Sequence, residues 1–276
     1  MKNPTFLLAI FCLIFLFSCN QNPPEQEEEA FINPLPGAWK MTAYLPADSS
    51  TMTAPDFVQY KFYTGQHFCF LAYDATADTL IMAGGGTYTA VKDTLTEDLV
   101  FTTWDSTNID VSYTFNYQVK DGKFEQRGSM PSTTEGEPDF QLAEDYEYVG
   151  LSIDTSGTAG SPSGLWRSNL AAYGDAAEPT TLENGDVIYK LITPTHFFVM
   201  SFQPDEGRYR GMVFGTWEIK DGKYTEKIIL ASWNKEMAGM EIPYDYTVTD
   251  NKFEQKAMVT VGDETGKIEE YYERVE

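Results

Sequence analysis

The sequence predicts an all-β protein made of two tandem antiparallel up-and-down barrels, each of about eight strands. Three observations predict it: a duplication at a fixed offset, apolar residues recurring with period two, and turn dipeptides between the alternating runs. Helical periodicity of any length does not accompany them.

The duplication is read directly from the residues. Tyr60, Lys61, Thr64, His67 and Phe68 return 129 positions later as Tyr189, Lys190, Thr193, His196 and Phe197. At the same offset Gly86, Thr96, Glu97 and Trp104 become Gly215, Thr225, Glu226 and Trp233. Lys123, Phe124, Glu125 and Gln126 become Lys252, Phe253, Glu254 and Gln255, and the register holds from Val58 to Arg127 without a gap. A period this long means two copies of one domain rather than a solenoid of short repeats.

The first residues read as an export signal. Lys2 gives a positive start, and the apolar run from Phe6 to Phe17 is shorter than the ~20 residues a membrane helix needs. Residues 1–19 are therefore a signal peptide. Ser18 followed by Cys19 resembles the lipobox of bacterial lipoproteins, which implies lipidation of Cys19 and a membrane partner reached through that anchor. Residues 20–33 are a polar, acidic tether with too little apolar surface to fold. Their Glu27, Glu28 and Glu29 resemble the acidic export signal of some Gram-negative surface lipoproteins. That implies a lipid-anchored place in the cell envelope, at the outer membrane and displayed at the surface; a plain solvated linker is the other reading.

Two domains of similar size follow, at 34–150 and 164–276, joined by a polar linker at 151–163 that contains Gly157, Gly160 and Pro162. Each is expected to have its own core, with few contacts from the linker. Within the first copy Tyr113, Phe115, Tyr117 and Val119 alternate with Ser112, Thr114, Asn116 and Gln118; Ile242, Tyr244, Tyr246 and Val248 keep the phase in the second. One face is apolar and the other polar, as in a half-buried antiparallel strand. Asp121 and Gly122, Asp221 and Gly222, and Asp250 and Asn251 each sit where a two-residue primed hairpin turn is expected. Closing such a sheet on itself removes its exposed edges. The run Gly84, Gly85, Gly86 leads into a strand rather than a helix, so it is a bend or bulge and not a phosphate loop.

Each copy opens with Gly-x-Trp (Gly37 and Trp39; Gly164 and Trp166) and continues through Thr-x-x-His-Phe and Gly-Thr-aromatic. In this order the elements resemble the lipocalin-like domain of secreted bacterial proteins. The resemblance implies a Trp plugging the closed barrel end with an Arg over it: Arg274 over Trp166, and Tyr148 beside Trp39 in the first copy.

With 42 acidic and 19 basic residues the net charge is −23, which repels nucleic acid. A monomer is expected. Of three cysteines only Cys69 remains after the signal and the anchor, so no internal disulfide can form. Metal-ligand spacings are missing from the sequence, and no cofactor is read. The two histidines are twins, His67 and His196, each on an apolar strand face. They are expected to point into the barrels, with Glu97 and Glu226 as partners. The readings open are a polar ligand anchor, an acid/base pair, or a hydrogen-bonded core histidine. Trp104 and Trp233 are candidates for stacking or gating at a mouth, core packing being the alternative. Tyr60 and Tyr189 complete the candidate ligand-binding set. Glu144, Glu147, Glu270 and Glu273 read as solvated faces. The expected function is binding of a small, mostly hydrophobic molecule; the alternative is a packed interaction module that contacts a protein or glycan through its loops. An enzyme is not expected.

Overall fold

Alternation becomes closure in the structure. The structure, a computed structural model, describes residues 31–104, 108–132, 136, 138–149, 162–203 and 208–275. The signal peptide, Cys19, most of the tether and the linker up to 161 lie outside the described residues. The first barrel consists of β1 (Gly37–Tyr44), β2 (Val58–Tyr63), β3 (His67–Asp74), β4 (Thr79–Val91), β5 (Thr94–Thr102), β6 (Ser112–Lys120), β7 (Lys123–Met130) and β8 (Phe140–Tyr148). Each pairs antiparallel with its sequence neighbour, and β8 returns to β1, closing the sheet.

The second barrel repeats this with β9 (Gly164–Gly174), a two-residue strand β10 (Thr180–Thr181), β11 (Val187–Ile192), β12 (His196–Gln203), β13 (Arg208–Lys220), β14 (Lys223–Ala231), β15 (Glu241–Val248), β16 (Lys252–Val261) and β17 (Glu264–Arg274). Here β17 pairs with β9 to close the barrel, and β10 extends the other edge of β9. Both are closed eight-stranded antiparallel barrels.

Local chemistry sets the corners. Asp121 and Gly122 both take positive φ (52° and 72°), as do Asp221 and Gly222 (52° and 76°), which is the type I′ geometry that matches strand twist. The third expected primed turn does not form. Thr249 bonds back to Lys252 through both its backbone N–H and its hydroxyl, and the carbonyls of Asp250 and Asn251 accept from Arg274, so that corner is shaped by its partners. The glycine run is a bulge: the ladder between β4 and β5 slips between Gly85 and Gly86, and its twin slips between Phe214 and Gly215. A Cβ on Gly86 would lie 1.9 Å from the carbonyl oxygen of Asp98, and one on Gly215 2.1 Å from that of Lys227. Only glycine fits so close an approach.

Each barrel has an inner core. Trp39, Tyr63, Tyr88, Phe115, Phe124 and Tyr146 fill the first, and Trp166, Ile192, Tyr224, Tyr244, Phe253 and Tyr272 the second. A third apolar cluster lies between the copies. Phe62, Cys69, Leu71, Tyr73 and Phe101 of the first copy pack with Leu191, Phe198, Met200, Phe202 and Leu230 of the second. These are twin positions, five from each copy. The barrels therefore meet through the same outer face, as in an isologous dimer interface. The described residues from 33 to 275 form one compact unit.

Candidate functional site

In β2 and β11 the residue pointing inward at mid-strand is a lysine. Lys190 is fully buried. Its Nζ donates to Gln255 Oε1 on β16 at 2.7 Å and to the Glu226 carboxylate on β14. Aromatic rings close around the ammonium, with the centroids of Tyr224, Phe197, Phe253, Tyr272 and Tyr244 at 5.2–5.8 Å. Glu270 completes the cluster: it accepts from Gln255 Nε2, Tyr272 Oη and Tyr173 Oη, each at 2.7 Å.

The first barrel holds the same cluster in variant form. Lys61 Nζ lies 2.8 Å from Gln126 Oε1 and 2.9 Å from Glu97 Oε1. Tyr63 donates to Glu97 at 2.6 Å and Tyr146 to Glu144 at 2.8 Å. Gln59 Nε2 donates to the Tyr146 hydroxyl at 2.9 Å. An ion pair so buried survives only when most of its remaining donors and acceptors are met. These side chains meet those of the lysine and the carboxylates, while Gln126 Nε2 has no partner among the described residues.

Burial sets the protonation states. The Glu226 carboxyl is pushed up by desolvation, an effect the neighbouring Lys190 opposes. The Tyr224 and Tyr272 hydroxyls are driven well up, first by burial and then by the carboxylates beside them. They stay protonated, and Tyr272 donates to Glu270. One ammonium faces two carboxyl groups in each cluster, so positive charge is in deficit there.

Above each cluster the barrel is hollow. The second holds a cavity of about 940 Å³, open to solvent at one side and walled by Ile188, Val199, Val213, Ile228 and Ile242, which reaches Lys190, Glu226, Gln255 and Glu270. The first holds an open cavity of about 520 Å³, walled by Met41, Phe70, Met82, Leu99 and Phe115, which reaches Lys61, Glu97 and Glu144.

Several sequence expectations change here. His67 and His196 do not enter the barrels and do not meet Glu97 or Glu226. They project from the outer faces of β3 and β12 onto the joint between the copies, where His196 packs on Tyr60, Phe62 and Phe214. His196 Nδ1 bonds the Thr195 hydroxyl at 2.8 Å. The physical reason is that both faces of these strands are apolar: Phe68 and Phe70 face inward while Cys69 and Leu71 face the other barrel. Tyr60 and Tyr189 lie on the outer face as well, Tyr60 against His196 and Phe214 and Tyr189 in the joint. Glu97 and Glu226 do point inward, with lysine as partner. Trp104 and Trp233 are half exposed and border the two cavities. Glu144 and Glu270 are not solvated faces but members of the buried clusters; Glu147 and Glu273 are exposed.

Lys61, Lys190, Gln126 and Gln255 were not among the candidates. The signal for them was in the sequence: a lysine inside the aromatic run Tyr60 to Tyr63, retained with its Glu and Gln in both copies.

No protein-family model matches the chain, and no curated protein does. Among solved structures it is similar to the uncharacterized protein YLR301w of Saccharomyces cerevisiae, at 13% identity and a TM-score of 0.51, with 88% of this chain and 98% of that chain covered. A protein of unknown function from the DUF3598 family of Nostoc punctiforme matches at 11% identity and a TM-score of 0.25, over 87% of this chain and 96% of that one. The likeness to the yeast protein is one of fold, and it runs through both barrels of this chain.

Proposed function

We propose that this is a lipid-anchored cell-envelope protein whose lipocalin-like barrels bind a small, mostly hydrophobic molecule, with the second barrel as the larger receptacle. The observation that carries this reading is the cavity of about 940 Å³ that descends past aliphatic walls to the Lys190–Glu226–Gln255–Glu270 cluster. Ligand sites are typically ~300–1,000 Å³, mostly apolar, with a few converging polar groups. The ligand's apolar body takes the walls. Its polar end meets a floor with more carboxyl than ammonium groups, which favours an amine or hydroxyl over a carboxylate.

Native mass spectrometry of protein purified from its own host, followed by titration with dodecylamine, dodecanol and dodecanoate, tests this. A retained ligand, or binding in the order amine, alcohol, carboxylate, is expected. No retained mass and no binding of any of the three would end the reading. The alternative is an interaction module, and the half-exposed Trp233 and the exposed Met258 are the features that favour it. The hollow interiors favour ligand binding instead.

A further inference from the structure

The joint between the barrels is not symmetric around its two histidines. On one side the ring of Phe214 lies parallel to the His196 imidazole, 4° between planes and 5.8 Å between centroids. Tyr60, Phe62 and Tyr73 surround the same ring at 5.1, 5.7 and 6.2 Å. The twins of these four residues are His67, Tyr189, Leu191 and Phe202. All four line a cavity of about 240 Å³ between the copies. The twin of Phe214 is Gly85, which brings no ring. Cys69, whose twin is Phe198, also lines the cavity and leaves it larger.

We propose that this inter-barrel cavity is a binding site for a small aromatic molecule, whose ring occupies beside His67 the place that Phe214 occupies beside His196. Independently of the barrel interiors, three observations support the site. The surroundings of a bound ring are already built once in the same chain, in residues related position by position. The walls cannot close over the space cheaply, because the strands on both sides are fixed by their ladders and Gly85 is pressed against its neighbours. A Cβ there would meet the Phe68 carbonyl oxygen at 2.6 Å and Cys69 Cβ at 2.9 Å. Finally, the lining is largely Phe, Leu, Met and Val, with few polar groups to hold water. An apolar cavity of ~150 Å³ is already large enough to admit benzene.

Iodobenzene is the probe. Soaked into crystals of the full mature chain, it should place an iodine anomalous peak between His67 and Met200. In solution it should raise the melting temperature of the wild type. Cys69→Phe, which supplies the ring carried by the twin position, should weaken binding at this site at least tenfold and leave any iodine in the barrels unchanged. If that variant does not fold, Leu191→Phe narrows the same cavity from the second copy. No peak at this position, or a peak of equal occupancy in Cys69→Phe, overturns the proposal. Iodine confined to the barrel interiors does so too, while supporting the barrel reading.

Discussion

The guanidinium carbon of Arg274 lies 4.1 Å from the centroid of the Trp166 indole. At the corresponding end of the first barrel Tyr148 meets Trp39 edge-on, with centroids 5.1 Å apart. The two indoles are otherwise alike: Trp39 Nε1 donates to the Leu35 carbonyl at 2.7 Å and Trp166 Nε1 to that of Pro162 at 2.6 Å. A cation over an indole contributes about 0.5–2 kcal/mol. Arg274→Ala should therefore raise amide hydrogen exchange in β9, β16 and β17 and leave β1, β7 and β8 protected. An equal rise in both barrels would contradict a local role.

The buried lysine cluster makes a prediction of non-additivity. Lys190→Met removes the cation and strands the Glu226 carboxyl, at a cost of about 3–5 kcal/mol. Glu226→Gln strands the ammonium and should also destabilise. The double variant should cost less than the sum of the singles, because neither charge is then left alone. Urea unfolding of all four proteins measures the coupling, and simple addition would argue against the pair.

His196 predicts an acid-sensitive joint. Burial pushes its imidazole down to about 4 from the ordinary 6.5, so it is neutral in the fold. Between those values the unfolded chain takes up a proton that the folded chain refuses. Its contribution is intact above about pH 6.5 and declines as pH falls toward 4, by roughly 3 kcal/mol in all. His196→Phe should flatten that part of the stability profile relative to wild type. Parallel profiles between pH 4 and 7 would show that the ring does not titrate in this way.

Anchoring depends on Cys19 under the proposal above. Cys19→Ala should yield either soluble protein or unprocessed precursor, assayed by detergent phase separation. Mature protein that still enters the detergent phase would exclude lipid attachment at this residue.

The duplication and the alternation in β6 and β15 made the barrels legible, because period two and a fixed offset are properties of the chain itself. The direction of an apolar face was not legible. In β3 both Phe68 and Cys69 are buried, one by its own barrel and one by the other copy, and alternation alone does not say which face is inside. That ambiguity placed the histidines in the wrong compartment. The lysines were not legible for the opposite reason. A single charge in a strand usually marks solvent, and only its coincidence with Glu97 and Gln126, repeated at Glu226 and Gln255, identifies a buried cluster. Glu270 lies 15 residues from its partner Gln255 and 97 from its partner Tyr173, in an order that no local pattern reveals.

The shared outer face has a consequence for how the two halves can change. In a dimer of identical chains, every substitution on the contact surface is written twice, and a ring added on one side is added on both. Covalent joining removes that constraint and also makes the association independent of protein concentration. Position 69 can then hold a thiol while 198 holds a phenyl ring, and position 85 can hold hydrogen while 214 holds another. One half is free to keep the contact while the other opens a space beside it.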